Sequence, residues 1–152
     1  LVQVEAPPGW LRLLPEALWA LSALFVYDIA RRLHYLLVPA SITPDAAGLW
    51  AVLAYSLAPL LHIMGIALLP DSLLMLFTAA LLWQTLRLYD EETARRRGEW
   101  LLFGALLGLA GLARYTAWLV ALPALCGLLS HHGARLLRLR GPGQAVLLAG
   151  LM

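Results

Sequence analysis

Two short motifs in the sequence, Pro70-Asp71 and Arg114-Tyr115, combine residue types that can do chemistry. A carboxylate beside a water-filled pocket can bind a polar substrate or orient a reacting hydroxyl. A guanidinium within an apolar stretch is costly unless it meets an anion, and its planar fork is well shaped to bind a phosphate. Asp71 is therefore the candidate catalytic residue, and Arg114 and Tyr115 are the candidate substrate-binding residues.

Each motif also has a purely structural interpretation, and the residues alone leave both interpretations open. Pro70 fits the first turn of a helix, where Asp71 would offset the positive helix end. Arg114 could extend to the lipid headgroups, or it could pair with an acidic residue from a missing part of the chain. Tyr115 could be an anchor at the membrane interface.

The composition indicates a membrane protein. Hydrophobic residues make up 62% of the 152 residues and charged residues 13%, whereas soluble proteins carry about a quarter charged residues. A globule of this size could not bury so much Leu and Ala, so a bilayer is the expected solvent. The dispersed arginines form no nucleic-acid-binding face, and a single cysteine, Cys126, excludes a disulfide framework. His131 and His132 lack the cysteine or carboxylate spacing of a metal site, so we expect them in a solvated cytoplasmic loop and identify no metal ligand.

The apolar stretches predict an all-α, polytopic bundle of transmembrane helices, because a bilayer core about 30 Å thick needs roughly 20 apolar residues of helix. We expect about six segments in this chain, with the last one truncated. They are residues 11–30, 46–70 with bends at Pro59 and Gly65, 72–89, 100–113, 116–129, and the start of a span near Pro142.

Arg114 decides how the apolar stretch 100–129 is divided. One continuous helix would measure about 45 Å, which is too long for an ordinary span. Two helices of about 21 Å each, joined by a hairpin tip at Arg114, are therefore predicted. The tip would lie below the membrane surface, in surroundings that are polar or filled with water.

The arginines predict the orientation of the chain, because cytoplasmic loops are rich in basic residues. With the amino end outside, nine arginines lie on the cytoplasmic side: Arg31, Arg32, Arg87, Arg95, Arg96, Arg97, Arg135, Arg138 and Arg140. Asp71 and Arg114 then share the outer half of the molecule. We therefore expect a multi-pass protein of the plasma (inner) membrane whose active face points outward.

Four segments occur in an order that is typical of one family. They are VYDIARRL, ALLPDSLLMLF, WLLFGALLGLAGLARYTAWLVALPAL and RLLRLRGPGQAVLLAG, and together they cover the chain from about Leu11 onward. This series resembles bacterial membrane glycosyltransferases of the protein O-mannosyltransferase and aminoarabinose transferase group, in the GT-C superfamily. The resemblance implies a GT-C type helix bundle.

The resemblance also implies a reaction. Such enzymes transfer a sugar from a polyprenyl-phosphate donor to a lipid, glycan or protein acceptor at the outer face of the membrane, and no cofactor beyond this donor substrate is implied. Asp71 matches the acidic residue of the family's second outer loop, and Arg114 and Tyr115 match its Lys/Arg-Tyr motif. Arg114 would stabilise the departing polyprenyl phosphate, while Asp71 would position the acceptor or the donor.

One feature of the family is not matched. Its first outer loop carries an acidic motif that usually supplies the catalytic base, and Glu5, in EAPPGW, does not fit this motif. We therefore expect residues 1–152 to be a single transmembrane glycosyltransferase domain, a central fragment that is inactive alone. The alternatives are part of a secondary transporter, in which broken helices and an intramembrane Arg are also expected, and a purely structural membrane subunit.

Overall fold

The computed structural model describes residues 10–37, 43–58, 69–133 and 143, without the side chains of residues 10–12, 69, 70 and 115. Its elements are helical, with no strand in the described ranges, which confirms the all-α class. The helices are α1 (Trp10–Leu37), α2 (Pro44–Leu57), α3 (Leu69–Leu88), α4 (Glu91–Ala94), α5 (Arg97–Ala113) and α6 (Trp118–His132), and a 3₁₀ turn at Tyr115–Ala117 precedes α6. The span expected near Pro142 falls almost wholly outside the described residues.

α1 is longer than the predicted span 11–30, which was wrong to stop ahead of the first arginines. Nε of Arg32 donates to the carboxylate of Asp28 over 2.7 Å, one helical turn earlier, and such pairs support a helix. The described part of the helix runs to Leu37.

α2 ends at Leu57, so the predicted span 46–70 is not a single described helix. Ala58 is extended, with φ −72° and ψ 105°, as expected for the residue before Pro59. The expected bend at Pro59 is thus a helix end, and residues 59–68, including Gly65, lie outside the described part.

The predicted hairpin at Arg114 is confirmed. α5 ends at Ala113, and Arg114 is extended, with φ −164° and ψ 137°. Arg114, directly after α5, contacts Asp71 near the start of α3. Glu99 near the start of α5 lies 2.8 Å from Arg87 near the end of α3. At this same end, a ring nitrogen of His132 in α6 lies 2.7 Å from the Leu88 carbonyl oxygen. α5 is therefore antiparallel to α3, and α6 turns back parallel to it.

α1 and α2 form a second antiparallel pair, beside α3. Nε of Arg31 in α1 lies 2.9 Å from the carboxylate of Asp45 at the start of α2. Toward the other end, the Trp19 and Tyr55 rings stack with their centroids 5.6 Å apart. α1 contacts α3 where the indole Nε1 of Trp83 donates to Asp28 over 2.6 Å.

This topology separates the charges into two ends. The Arg-rich end holds the described arginines that were predicted to be cytoplasmic: Arg31, Arg32, Arg87, Arg95, Arg96 and Arg97. The opposite end, which we call the Asp71 end, holds Asp71 and Arg114. At a rise of 1.5 Å per residue, α3 spans about 26 Å between Asp71 and Leu88.

A buried apolar cluster joins α3, α5 and α6. Its members are Leu81, Leu88, Trp100, Phe103, Leu107, Ala121 and Leu128. The Trp100 indole donates to the Ala94 carbonyl over 2.8 Å, so this large side chain is buried with its polar atom satisfied.

Among the described residues, one helix is long and apolar enough to cross a membrane: residues 13–37, with a mean hydropathy of 1.4. α6 is apolar but has only 15 residues. The described segments are therefore helical, as predicted. That about six of them cross the membrane stays a prediction.

Candidate active site

Asp71 and Arg114, which the sequence separates by 43 positions, form an ion pair. A terminal amino group of Arg114 donates to Oδ1 of Asp71. Asp71 lies in the first turn of α3, as the Pro70-Asp71 motif predicted, and Arg114 lies at the break between α5 and the 3₁₀ turn. The acidic partner of Arg114 is thus Asp71 of this chain, and not an acidic residue from a missing part of the chain, which was one of the alternatives left open.

The two members of the pair differ in their access to solvent. The Asp71 side chain is 11% exposed, whereas the Arg114 side chain is 51% exposed. Asp71 therefore holds the guanidinium from the buried side, and Arg114 is the member of the pair that a ligand can reach. A guanidinium carries five N–H donors, so a bond to one carboxylate oxygen leaves donors for an anion such as phosphate.

The backbone fixes Arg114 at both sides. Its N–H donates to the Ala110 carbonyl over 3.0 Å, and its carbonyl accepts from the Ala117 N–H over 3.1 Å. Because α5 ends and the 3₁₀ turn begins at this residue, the Arg114 side chain starts from a defined backbone position. Tyr115 opens the 3₁₀ turn beside Arg114, and its side chain lies outside the described part.

An open apolar groove of about 430 Å³ lies between α2, α3 and the start of α6. Its wall includes Leu74, Thr78 and Leu82, which follow one face of α3 at four-residue spacing, and Thr116 and Val120 across from them. Asp71 and Arg114 are not among the residues that line the groove, but Leu74 is about one helical turn from Asp71 and Thr116 is two residues from Arg114, so one end of the groove is near the pair. An apolar channel with one cation beside it suits a ligand with a lipid tail and an anionic head.

Sequence reasoning found Asp71 and Arg114 but missed the groove, because its residues are ordinary apolar helix positions until α2 and α6 are placed beside α3. In the described ranges, no group of three or more His, Cys, Asp or Glu side chains could hold a metal ion. Catalysis through Asp71 and substrate binding through Arg114 and Tyr115 remain predictions.

Other predicted charge contacts are partly different in the structure. The helical spacing of Asp28 from Arg31 and Arg32 predicts a local ion pair; Asp28 pairs with Arg32, while Arg31 pairs with Asp45. His131 and His132 were expected in a solvated loop, but both belong to the last turn of α6. The His131 ring packs against the Tyr89 ring, with a centroid distance of 4.8 Å.

A family model described as dolichyl-phosphate-mannose-protein mannosyltransferase matches residues 6–152. No curated protein and no solved structure matches the chain.

Proposed function

Because the chain belongs to the dolichyl-phosphate-mannose-protein mannosyltransferase family, a family of membrane glycosyltransferases of the GT-C type, we propose that it transfers a sugar from a polyprenyl-phosphate donor. The acceptor is a lipid, a glycan or a protein at the outer face of the membrane. The observation that carries this proposal is the half-exposed guanidinium of Arg114, held by Asp71 within one helical turn of residues that line an apolar groove.

The reaction needs a site for a leaving phosphate. The acceptor hydroxyl oxygen attacks the anomeric carbon of the sugar, the bond from that carbon to the phosphate oxygen breaks, and the hydroxyl proton goes to a general base. Negative charge grows on the polyprenyl phosphate as it leaves, and a positioned guanidinium stabilises it. In this proposal Arg114 binds the phosphate, and the groove along Leu74, Thr78 and Leu82 holds the first part of the isoprenoid chain.

The contacts support a positioning role for Asp71. Its Oδ1 is engaged by Arg114, and its side chain is nearly buried, so in this proposal it holds the guanidinium in place for the phosphate. The base that takes the acceptor proton is expected to come from the acidic motif that Glu5 does not match. That residues 1–152 alone do not transfer sugar stays a prediction.

The membrane setting is also part of the proposal. In the most apolar 18-residue window of residues 13–37, only 11% of the window is buried inside the protein. This helix is therefore not shielded like the core helix of a soluble protein, which supports a lipid environment for it. We propose a multi-pass arrangement in the plasma membrane, with the Asp71 end outward. The same family membership favours transfer over the transporter and structural-subunit alternatives.

The test uses Arg114→Gln and Asp71→Asn in the full-length protein, with polyprenyl monophosphate as the probe. Both changes break the ion pair, so both should lower the melting temperature by a similar amount. Arg114→Gln should also weaken polyprenyl monophosphate binding by roughly tenfold to 100-fold, because a charge-assisted hydrogen bond contributes about 1.5–3 kcal/mol.

Asp71→Asn is the matched control, since it keeps the cation. Its affinity for polyprenyl monophosphate should stay within about threefold of the native value, while sugar transfer falls. Equal losses of binding in the two variants would mean that the pair only holds the helices together. Unchanged binding and turnover in Arg114→Gln would overturn the assignment of Arg114.

A further inference from the structure

A second cavity lies at the Arg-rich end, at the far end of α3 from Asp71. This inner-end pocket has a volume of about 700 Å³ and lies between the ends of α1, α3 and α6 and the start of α2. Its charged and aromatic wall is formed by Asp28, Arg31, Arg32, Tyr35, Tyr89, Asp90 and His131. Neither the sugar nor the polyprenyl phosphate of the proposed reaction needs this pocket.

The two guanidiniums of the pocket are partly engaged and partly accessible. Nε of Arg32 donates to Asp28, and Nε of Arg31 lies 2.9 Å from Oδ1 of Asp45 as an ion pair without hydrogen-bond geometry, while both side chains remain 43% exposed. The terminal amino groups of each guanidinium, which make no hydrogen bond with another described residue, are the donors available to a ligand. Two adjacent guanidiniums with such donors match the oxygen atoms of a phosphate.

The pocket also carries an acidic group at its rim. Asp90 is exposed, and its Oδ2 accepts from the Thr93 hydroxyl over 2.8 Å and from the Thr93 N–H over 3.0 Å. These bonds lower the pKa of Asp90, so it is an anion at neutral pH. Asp28 and Asp90 line the same pocket as Arg31 and Arg32, so the formal charges of these four wall residues cancel.

Apolar groups complete the pocket. Leu36, Pro44 and Leu86 line it, and the neighbouring α1 residues Tyr35 and Leu37 are 80% and 73% exposed. In the proposed membrane setting, this surface lies where α1 leaves the hydrocarbon layer, about 26 Å below Asp71. The pocket therefore offers charges of both signs to a headgroup and apolar surface to acyl chains.

We propose that the inner-end pocket binds an ethanolamine phospholipid, with its phosphate on Arg31 and Arg32 and its ammonium on the carboxylate of Asp90. A zwitterionic headgroup matches a wall whose charges cancel, whereas a purely anionic headgroup would meet two carboxylates. A primary ammonium has three N–H donors for a carboxylate, and the trimethylammonium of choline has none. This proposal depends on the membrane setting of the proposed function but not on its catalytic residues.

The experiment measures lipid binding to the purified full-length protein in detergent. Ethanolamine, choline and glycerol phospholipids with identical acyl chains are titrated, and bound lipid is counted by native mass spectrometry. The ethanolamine lipid should bind at least about tenfold more tightly than the other two. Equal binding of the three lipids, or tighter binding of the glycerol lipid, would overturn the proposal.

Three variants locate the site. Asp90→Asn keeps a good helix cap but loses the charge, so it should remove the preference for ethanolamine over choline. Arg31→Gln should weaken the binding of both the ethanolamine and the choline lipid. Arg95→Gln is the matched control, because Arg95 is an exposed arginine outside the pocket wall. A preference that persists in Asp90→Asn, or a loss in Arg95→Gln equal to that in Arg31→Gln, would contradict the assignment.

Failure here can be told apart from failure of the proposed function. Arg114→Gln should lose polyprenyl monophosphate binding and keep the ethanolamine phospholipid, and Arg31→Gln should show the reverse. Parallel losses of both ligands in each variant would show a general loss of structure and would overturn this separate site.

Discussion

At the scale of residues, the Asp71–Arg114 pair is matched to the helix ends that carry it. Asp71 lies at the amino end of α3, where the backbone N–H groups give a partial positive charge, and Arg114 follows the carboxyl end of α5, where the carbonyls give a partial negative charge. Each helix end thus stabilises the charge that it carries. The partial charges favour the carboxylate at the start of α3 and the cation at the hairpin tip, and the cation is the more exposed member of the pair.

A second residue-scale feature is the close approach of α1 to Gly48. A Cβ added at Gly48 would lie 2.6 Å from the Tyr27 ring, whereas one added at Gly98 would have no atom within 4 Å. Both glycines are helical, so Ala gains about 1 kcal/mol of helix propensity at either position.

The Gly48→Ala and Gly98→Ala pair measures this contact. Gly48→Ala should be less stable than Gly98→Ala by about 1–3 kcal/mol, because the ring of Tyr27 must move to relieve the overlap. Thermal unfolding of the purified variants in detergent gives the difference. Equal stabilisation by both changes would show that α1 and α2 do not pack this closely.

At the scale of elements, polar side chains fix the register of α3 against α5. Arg87 lies 2.8 Å from Glu99, and the Gln84 amide donates to the same carboxylate over 2.8 Å. Gln84 is fully buried, and Glu99 is 16% exposed. A neighbouring pair, Arg96 and Glu92, is by contrast largely exposed.

Glu99→Gln should therefore destabilise the protein by about 2 kcal/mol, since it leaves the charge of Arg87 without its partner in a half-buried place. Glu92→Gln is the control and should cost less than about 0.5 kcal/mol, as exposed helix pairs contribute little. Chemical unfolding in detergent compares the two. Similar effects would contradict the burial seen at the α3–α5 contact.

Element boundaries also show what the sequence could and could not predict. The break at Arg114 and the start of α3 near Pro70 were predictable, because a charge in an apolar stretch and a proline in a first turn are local signals. The prediction for α1 stops before Arg31 and Arg32, because the i,i+4 pair of Arg32 with Asp28 that continues the helix is weighted below the change from apolar to charged residues, whereas the prediction for α2 continues past Pro59, because the apolar run is weighted above the proline. The Arg31–Asp45 and His132–Leu88 contacts depend on which helices are neighbours, and no local signal encodes that.

At the scale of the whole molecule, charged pairs gather in two layers. The Asp71–Arg114 pair lies in one layer, and the Arg87–Glu99 and Arg31–Asp45 pairs lie in the other. The layers are about 26 Å apart along α3, close to the thickness of a bilayer core of about 30 Å. This separation supports the proposed membrane setting.

Single-cysteine labelling tests the orientation. In a Cys126→Ala background, Arg114→Cys should react with an impermeant maleimide in intact cells, and Glu92→Cys should react only after lysis. The Cys126→Ala parent should not be labelled. Labelling of Arg114→Cys only after lysis, or of both positions in intact cells, would contradict the proposed topology.

The shortness of α6 has a consequence for the surrounding lipid. Its 15 residues measure about 22 Å, several ångströms less than the hydrocarbon core. Such a mismatch is met by local thinning of the bilayer, at a fraction of a kcal/mol per ångström. We expect the outer leaflet to dip toward the hairpin tip, so that a lipid carrier can bring its phosphate to Arg114 while its headgroup remains in the interfacial layer.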